Sequence, residues 1–397
     1  MTRILLASEL GGGAGHVMRL KPIAEALRRM GASVVFAVRD IVSARPLTAE
    51  GFDVLPAPRI TEGLNTGLFA ANYAEILMRA GFERRDHVLI QAAAWRDFLS
   101  LLSPDLVVAD FAPGAMMGAA IMRLQRASVG TGFALPPDVT PLPNFAPWLN
   151  APADRLAAAE QNVLAAINAA LAHYGCRPFD RLAQLANTGC DVLCTVADLD
   201  HYPSRSGNPT YVGPIYDSPV DRPPVWPERG RPRVFAYLNG EWPALPGTLQ
   251  ALTTLSAGTL LVVQGAVDPA AIATQAANIK VSTMPVDLRQ TLPQVRLVVC
   301  HAGMGTVSQA LKAGLPLLLL PRNPEQIGTA LRVAAMGAGI VLRGTVKHDE
   351  LIAALDRGLN DGALAEGART AARRFAASTR EAAITAAAKA ILARATS

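Results

Sequence analysis

Between Cys300 and Gln326 the chain reads CHAGMGTVSQALKAGLPLLLLPRNPEQ, and several of these side chains can do chemistry. The apolar run LVVC predicts a buried strand with His301 at its end, and AGMGT turns into the helix-forming VSQALKAG. Gly303 and Gly305 permit a tight turn and let a ligand approach the main chain. The backbone from Gly303 through Met304 and Gly305 to Thr306 would then present its amides at a helix N-terminus, whose positive end attracts phosphate. Thr306 is expected to cap that helix and to offer its hydroxyl to a phosphate oxygen. His301 would add a further donor. A glycine turn alone fits a capped strand-to-helix junction that holds nothing. The rest of the segment changes that balance. Gln309 is expected on the first turn of the helix. After Gly314, LPLLLLP predicts the next strand, and Glu325 and Gln326 follow it. Adjacent parallel strands end at one sheet edge, so this pair is expected beside His301. A carboxylate and an amide together accept from and donate to paired hydroxyls. The combination suits a diphosphate joined to a sugar.

Such a site needs a rigid scaffold. At 397 residues, 51% of them apolar, the chain is long enough for two cores. The net charge of +5 is spread over isolated pairs such as Arg28-Arg29, Arg84-Arg85 and Arg373-Arg374, which argues against a nucleic-acid stripe. It still favours anionic ligands or an anionic membrane surface. Cys176, Cys190, Cys194 and Cys300 form no CxxC and lie near no His at zinc spacing, so reduced thiols in a cytoplasmic protein are expected. The opening RILLAS is too short an apolar run for a signal peptide, and no stretch is long enough to span a bilayer.

RILLAS, the loop ELGGGAGH, the helix-periodic VMRLKPIAEALRRMG and SVVFAV form a strand–helix–strand unit, which predicts a parallel sheet. DLVVAD with GAMMGAAIMRL continues it, and DVLCTV (191–196) is expected to close the first half. Residues 136–152 are Pro-rich with aromatics, as in a loop lining a cleft or one lying on the surface. The pattern restarts with RVFAYL, GTLLVVQG, IKVSTM, VRLVVCH and GLPLLLLP. The expected organisation is α/β: a Rossmann-like doubly wound domain over 1–215, a linker over 216–232, a second such domain over 233–378, and a final helix over 379–397. The carboxyl ends of both sheets would face a cleft.

The segment resembles the donor-binding signature of family 1-type glycosyltransferases with the GT-B fold. That pattern stands here as His301, Gly303, Gly305, Thr306, Gln309, Gly314, Pro316, Glu325 and Gln326. The resemblance implies that His301 and the turn hold the diphosphate of a UDP- or dTDP-sugar co-substrate. It places position 309 at the ribose, and Glu325 and Gln326 at the sugar. It implies no metal and no further cofactor, and a final helix that returns to the first domain. Asn239 and Gly240, in AYLNGEW, replace the family's Gly-Ser loop and are candidate phosphate contacts. Thr283 and Val286 stand where plant members frame the base.

GGGAGHVMRLKPIAEAL resembles the family's first loop, which makes His16 the catalytic base and Asp110 its partner aspartate. The chemistry needs such a pair, because an acceptor hydroxyl is a poor nucleophile until an imidazole takes its proton. The resulting cation gains from a carboxylate on its other nitrogen. The loop also resembles that of the bacterial enzyme that glycosylates lipid-linked muropeptide, which keeps a lipid-linked acceptor at the membrane surface open. A dinucleotide fingerprint with Asp40 on the ribose is a minor alternative, weakened by His at the third glycine position. The Asp-Leu-Asp at 198–200 is read as a surface turn rather than a metal motif. Gly13, Gly15, Phe69, Tyr73, Phe133, Phe145 and Trp148 are candidate contacts for a small hydrophobic acceptor. The reading is an inverting hexosyltransferase whose partners are a nucleotide sugar and a small molecule, not nucleic acid. A sugar-nucleotide epimerase and a non-catalytic sugar-nucleotide binder are the alternatives.

Overall fold

The computed structural model describes residues 1–11, 15–60, 69–203, 205, 209–216, 221–265, 276–376 and 379–396. The chain divides into two compact units, Met1–Asp217 with Ser378–Ser397, and Ser218–Ala377.

The first unit is built on a parallel sheet of β1 (Arg3–Ser8), β2 (Ser33–Val38), β3 (Asp53–Pro56), β4 (Leu106–Ala109), β5 (Gln125–Gly130), β6 (Asp191–Leu193) and β7 (Thr210–Tyr211). Its spatial order is β3-β2-β1-β4-β5-β6-β7. Alternate residues of β1 go to opposite faces, as the strand period requires. Ile4 and Leu6 pack with the helices Gly15–Arg29 and Arg380–Ala395. Leu5 and Ala7 pack with the helices Arg85–Leu102, Pro113–Ile121 and Ala153–His173. Each fully buried aliphatic side chain there contributes roughly 1.5–3 kcal/mol. The final helix buries Ile384, Ala387, Ala388 and Ile391 against the helix Gly15–Arg29 and β5. Gly118 lets the helix Pro113–Ile121 lie close to Trp95, because a Cβ there would come 2.6 Å from Trp95 Cβ.

The second unit repeats the plan with β8 (Arg233–Asn239), β9 (Gly258–Gln264), β10 (Ile279–Ser282), β11 (Leu297–Cys300), β12 (Leu317–Leu319) and β13 (Gly339–Val341), in the order β10-β9-β8-β11-β12-β13. Val234, Ala236 and Leu238 of β8 face the helices Leu245–Thr253 and His348–Asn360. The helix Met304–Lys312 packs against Gly362–Phe375.

Each sheet has a point where the strand order reverses, between β1 and β4 in the first unit and between β8 and β11 in the second. Ligands of open α/β sheets bind outside the strand ends at such points. Four strands escape the sequence pattern: β3, β5, β7 and β13. They are short or begin with polar residues, so their apolar signal is weak. The expected strand at 191–196 is β6, only three residues long, and β7 rather than β6 forms the sheet edge.

Candidate active site

β1 and β4 run side by side, with Ala7 opposite Ala109. Asp110 therefore emerges next to the end of β1, and its N–H donates to the Ala7 carbonyl at 2.8 Å. His16 lies in the first turn of the helix Gly15–Arg29. Its Nδ1 is 2.9 Å from Asp110 Oδ1. Arg19, one turn further along the same helix, places Nη1 3.3 Å from each carboxylate oxygen. Asp110 is only 1% exposed. Burial alone would raise its pKa, but Arg19 and His16 together hold it below the usual value of 3.8. Asp110 is thus a buried carboxylate kept ionised against an imidazole. Nδ1–H donates to it, and Nε2 is left as the hydrogen-bond acceptor.

Phe111 follows in the left-handed region, at φ 59°. That conformation is strained for a large side chain and persists only where its surroundings enforce it. Its carbonyl accepts from the N–H groups of Glu9 and Leu10 at 3.3 and 3.0 Å, and its ring lies 6.4 Å from those of His16 and Tyr73. A pocket of about 200 Å³ opens between the β1 and β2 ends, lined among others by Ser8, Gly11, His16, Arg39, Asp40 and Ser43. The dinucleotide alternative fails here. The His16 ring, at the position where the fingerprint has its third glycine, lies against Gly11, 2.0 Å from where an ideal Cβ would stand. The Asp40 carboxylate instead accepts from the N–H groups of Val42 and Ser43.

In the second unit His301 ends β11 beside β8 and β12. Its Nδ1 donates to the Leu320 carbonyl at 2.7 Å, and its Nε2 accepts from the Asn239 N–H at 3.0 Å. Trp242 packs against the ring in a T-shaped contact, with centroids 4.9 Å apart. Burial pushes the His301 pKa down to about 4. This corrects the expectation of a further phosphate donor: both ring nitrogens are committed, and the neutral ring ties three strand ends together. The N–H groups of Asn239 and Gly240 are committed as well, the latter to the Gln264 carbonyl at 2.8 Å. Both backbone donors are spent within the protein, which corrects their expectation as phosphate contacts.

The helix Met304–Lys312 begins after Gly303, which is its N-cap and makes no side-chain cap bond. Thr306 is therefore the third helical residue and not the cap. Gln309 is on the second turn, not the first, and its Nε2 donates back to the Gly305 carbonyl at 3.2 Å. Gly305 and Met304 form the first turn. Glu325 and Gln326 belong to the first turn of the helix Pro324–Ala335, capped by Asn323, rather than to a strand end. Gln326 Oε1 accepts from the Arg322 N–H at 2.8 Å. Thr283 is exposed beyond β10, and the Val286 side chain is buried.

The candidate acceptor contacts divide. Tyr73, Phe133 and Phe145 are buried. Phe133 and Phe145 pack with tilted rings, centroids 4.8 Å apart, in a small core that includes Tyr202. Packing claims them, because an aromatic face gains most when fully covered. Phe69 is 56% exposed, Trp148 is half-buried and Gly15 is exposed. Gly13 lies outside the described residues. Asp200 is not at a surface: it is buried, with its carboxylate on Arg205 and the Tyr211 hydroxyl, both at 2.6 Å. Among the described residues no three His, Cys, Asp or Glu side chains gather as metal ligands, and no helix is long and apolar enough to cross a membrane.

Sequence reasoning missed Glu9, Arg19 and Phe111, and read Gly11 as part of a phosphate-facing loop rather than as the residue that makes room for the His16 ring. Arg19 carried a signal, being three residues from His16 and so on the same helix face.

Residues 248–391 match the family model of the erythromycin biosynthesis protein CIII-like C-terminal domain. A demethyllactenocin mycarosyltransferase of Streptomyces fradiae is 31% identical over 146 residues, which is 36% of this chain and 32% of the relative. The chain thus matches about a third of that relative's length. A PGL/p-HBAD biosynthesis rhamnosyltransferase of Mycobacterium bovis (strain BCG / Pasteur 1173P2) is 27% identical over 373 residues, 86% of this chain and 77% of the relative. The crystal structure of CalG4, the calicheamicin glycosyltransferase, superposes with a TM-score of 0.76 at 21% identity, covering 99% of both chains. The chain has the GT-B fold of the family 1-like natural-product glycosyltransferases. The GT-B glycosyltransferase VinC, in complex with DTDP, covers all of both chains with a TM-score of 0.69 at 18% identity. His16 and Asp110 belong to the first unit and the His301–Gln326 segment to the second.

Proposed function

We propose that the chain is an inverting, metal-independent glycosyltransferase. It moves a hexose from a UDP- or dTDP-sugar to a hydroxyl of a small acceptor with an apolar body. The observation that carries this reading is the partly exposed His16 imidazole held 2.9 Å from the buried Asp110 carboxylate.

The acceptor hydroxyl gives its proton to His16 Nε2 as its oxygen attacks the anomeric carbon. The bond from that carbon to the diphosphate breaks, and the electron pair leaves with the diphosphate. Attack opposite the leaving group inverts the centre. The imidazolium is stabilised by Asp110, which Arg19 keeps ionised. The helix beginning at Met304 offers its positive end to the departing charge, with the Thr306 hydroxyl as a further donor. Gln309 Oε1 would accept from a ribose hydroxyl, since its amide nitrogen is engaged. Glu325 and the Gln326 Nε2 would read sugar hydroxyls. Asn239 and Gly240 shape the loop beside His301, with their N–H groups given to His301 Nε2 and the Gln264 carbonyl. With Val286 buried, the base would meet backbone near 283–286. Phe69, Phe111 and Trp148 supply apolar surface for the acceptor.

The names of the mycarosyl- and rhamnosyltransferase relatives support sugar transfer, and the DTDP in VinC favours a dTDP-sugar. The test combines a melting-temperature screen of UDP-, dTDP- and GDP-sugars with transfer assays on aromatic and polyketide alcohols. One donor should raise the melting temperature. His16→Ala should keep that shift and lose transfer by about 10²–10⁴-fold. An epimerised sugar from donor alone would instead support the epimerase, and binding with no turnover a binder. Transfer confined to lipid-linked acceptors in vesicles would place the reaction at a membrane surface.

A further inference from the structure

Glu9 is the first residue beyond β1 and is fully buried. Its Oε1 accepts from Gln91 Nε2 at 2.9 Å and Trp95 Nε1 at 3.0 Å. Its Oε2 accepts from the N–H groups of Gly114 at 2.6 Å and Ala115 at 3.1 Å. As placed, all four partners donate to the carboxylate, while burial pushes the Glu9 pKa up to about 7. Tyr73 is a further titratable side chain close to it. The cradle closes tightly: a Cβ on Gly114 would lie 2.4 Å from Glu9 Oε1 and 2.6 Å from Trp95 Nε1.

These contacts join two loops. One leads from β1 towards His16. The other carries Asp110 through the left-handed Phe111 into the helix Pro113–Ile121. The N–H groups of Glu9 and Leu10 add two bonds to the Phe111 carbonyl. A buried carboxylate with no cation beside it is an inefficient way to stabilise a core, since an apolar residue of like volume often does as well. What the carboxylate supplies instead is direction, because its four lone-pair sites fix four donors at once.

We propose that Glu9 is a positioning residue that sets the His16–Asp110 geometry by fastening the β1 loop to the start of the helix after Asp110. The inference rests on the reading of His16 as the base.

Glu9→Gln keeps the shape but turns an NH₂ group against N–H donors. Transfer kinetics would be measured well below the melting temperature of each variant, with kcat, donor KM and the acid limb of the pH–rate profile as readouts. The expected result is a kcat lowered about a hundredfold, the scale for a misplacement of about 1 Å. Donor KM should stay at the wild-type value, because the donor residues lie on the other unit. The acid limb should move to lower pH as the imidazolium loses its carboxylate. Gly114→Ala presses on the same oxygen from the other side and should give the same signature. It carries the test if Glu9→Gln does not fold. Variants that melt earlier yet keep wild-type kcat and pH limb would overturn the proposal, leaving Glu9 a packing residue. Wild-type transfer by His16→Ala would sink the base reading and this inference with it.

Discussion

The His16 imidazole occupies the space in which a side chain at Gly11 would begin. An ideal Cβ on Gly11 would lie 2.0 Å from His16 Nε2 and Cδ2, and 2.5 Å from Cε1. Nε2 is the atom proposed to take the acceptor's proton. The glycine is therefore required by the ring's position.

Gly11→Ala should push the ring off Asp110 and lower kcat/KM about a hundredfold, with a small change in melting temperature. Gly15→Ala is the control. A Cβ there meets nothing within 4 Å, so the His16 ring should keep its place, kcat should stay near wild type and any loss should fall on acceptor KM. Equal losses in both variants would show that the loop tolerates no side chain for reasons unrelated to His16.

Asp110→Asn should lower kcat by about 10²–10⁴-fold, because an amide can favour the wrong imidazole tautomer. It also strands the buried Arg19 guanidinium, which costs about 3–5 kcal/mol in a denaturant titration. The pH dependence follows from the sign of the shift. Asp110 has a folded pKa below its ordinary 3.8, so its contribution is present above that value and lost as pH falls below it. The variant should show a shallower loss of stability below pH 3.8 than the wild type.

His301 makes the opposite kind of titration. Its folded pKa lies near 4, below the ordinary 6.5, so the unfolded chain binds a proton first. Stability from the neutral ring is full above pH 6.5 and declines as pH falls towards 4. His301→Phe should remove that decline. It should also cost about 1–3 kcal/mol by stranding the Asn239 N–H and the Leu320 carbonyl. Nitrogen chemical shifts of the wild-type ring should report a proton on Nδ1. A proton on Nε2 would contradict the hydrogen bonds described above.

Gly303 separates ligand binding from folding. It has an ordinary backbone conformation and a Cβ on it would meet nothing within 4 Å. Gly303→Ala should melt at the wild-type temperature without ligand. It should lose most of the stabilisation by UDP or dTDP, which for the wild type reaches about 2.7 kcal/mol at a hundred times Kd. An unchanged ligand shift would place the diphosphate elsewhere.

The sequence by itself determined the parallel α/β architecture and the strand–turn–helix–strand segment ending at Gln326. Apolar runs and glycine punctuation are local signals, and local geometry answers to them. It also singled out His16 and Asp110 by resemblance, but these two residues lie 94 apart in the chain and their meeting depends on β4 pairing with β1. Periodicity states which face of an element is buried, not which element covers it. That is why Tyr73, Phe133 and Phe145 read as ligand contacts until packing claimed them. Only the folded structure set the role of His301. Whether an imidazole nitrogen donates or accepts is decided by the partner placed against it, and that partner, the Asn239 N–H, lies 62 residues away in the chain.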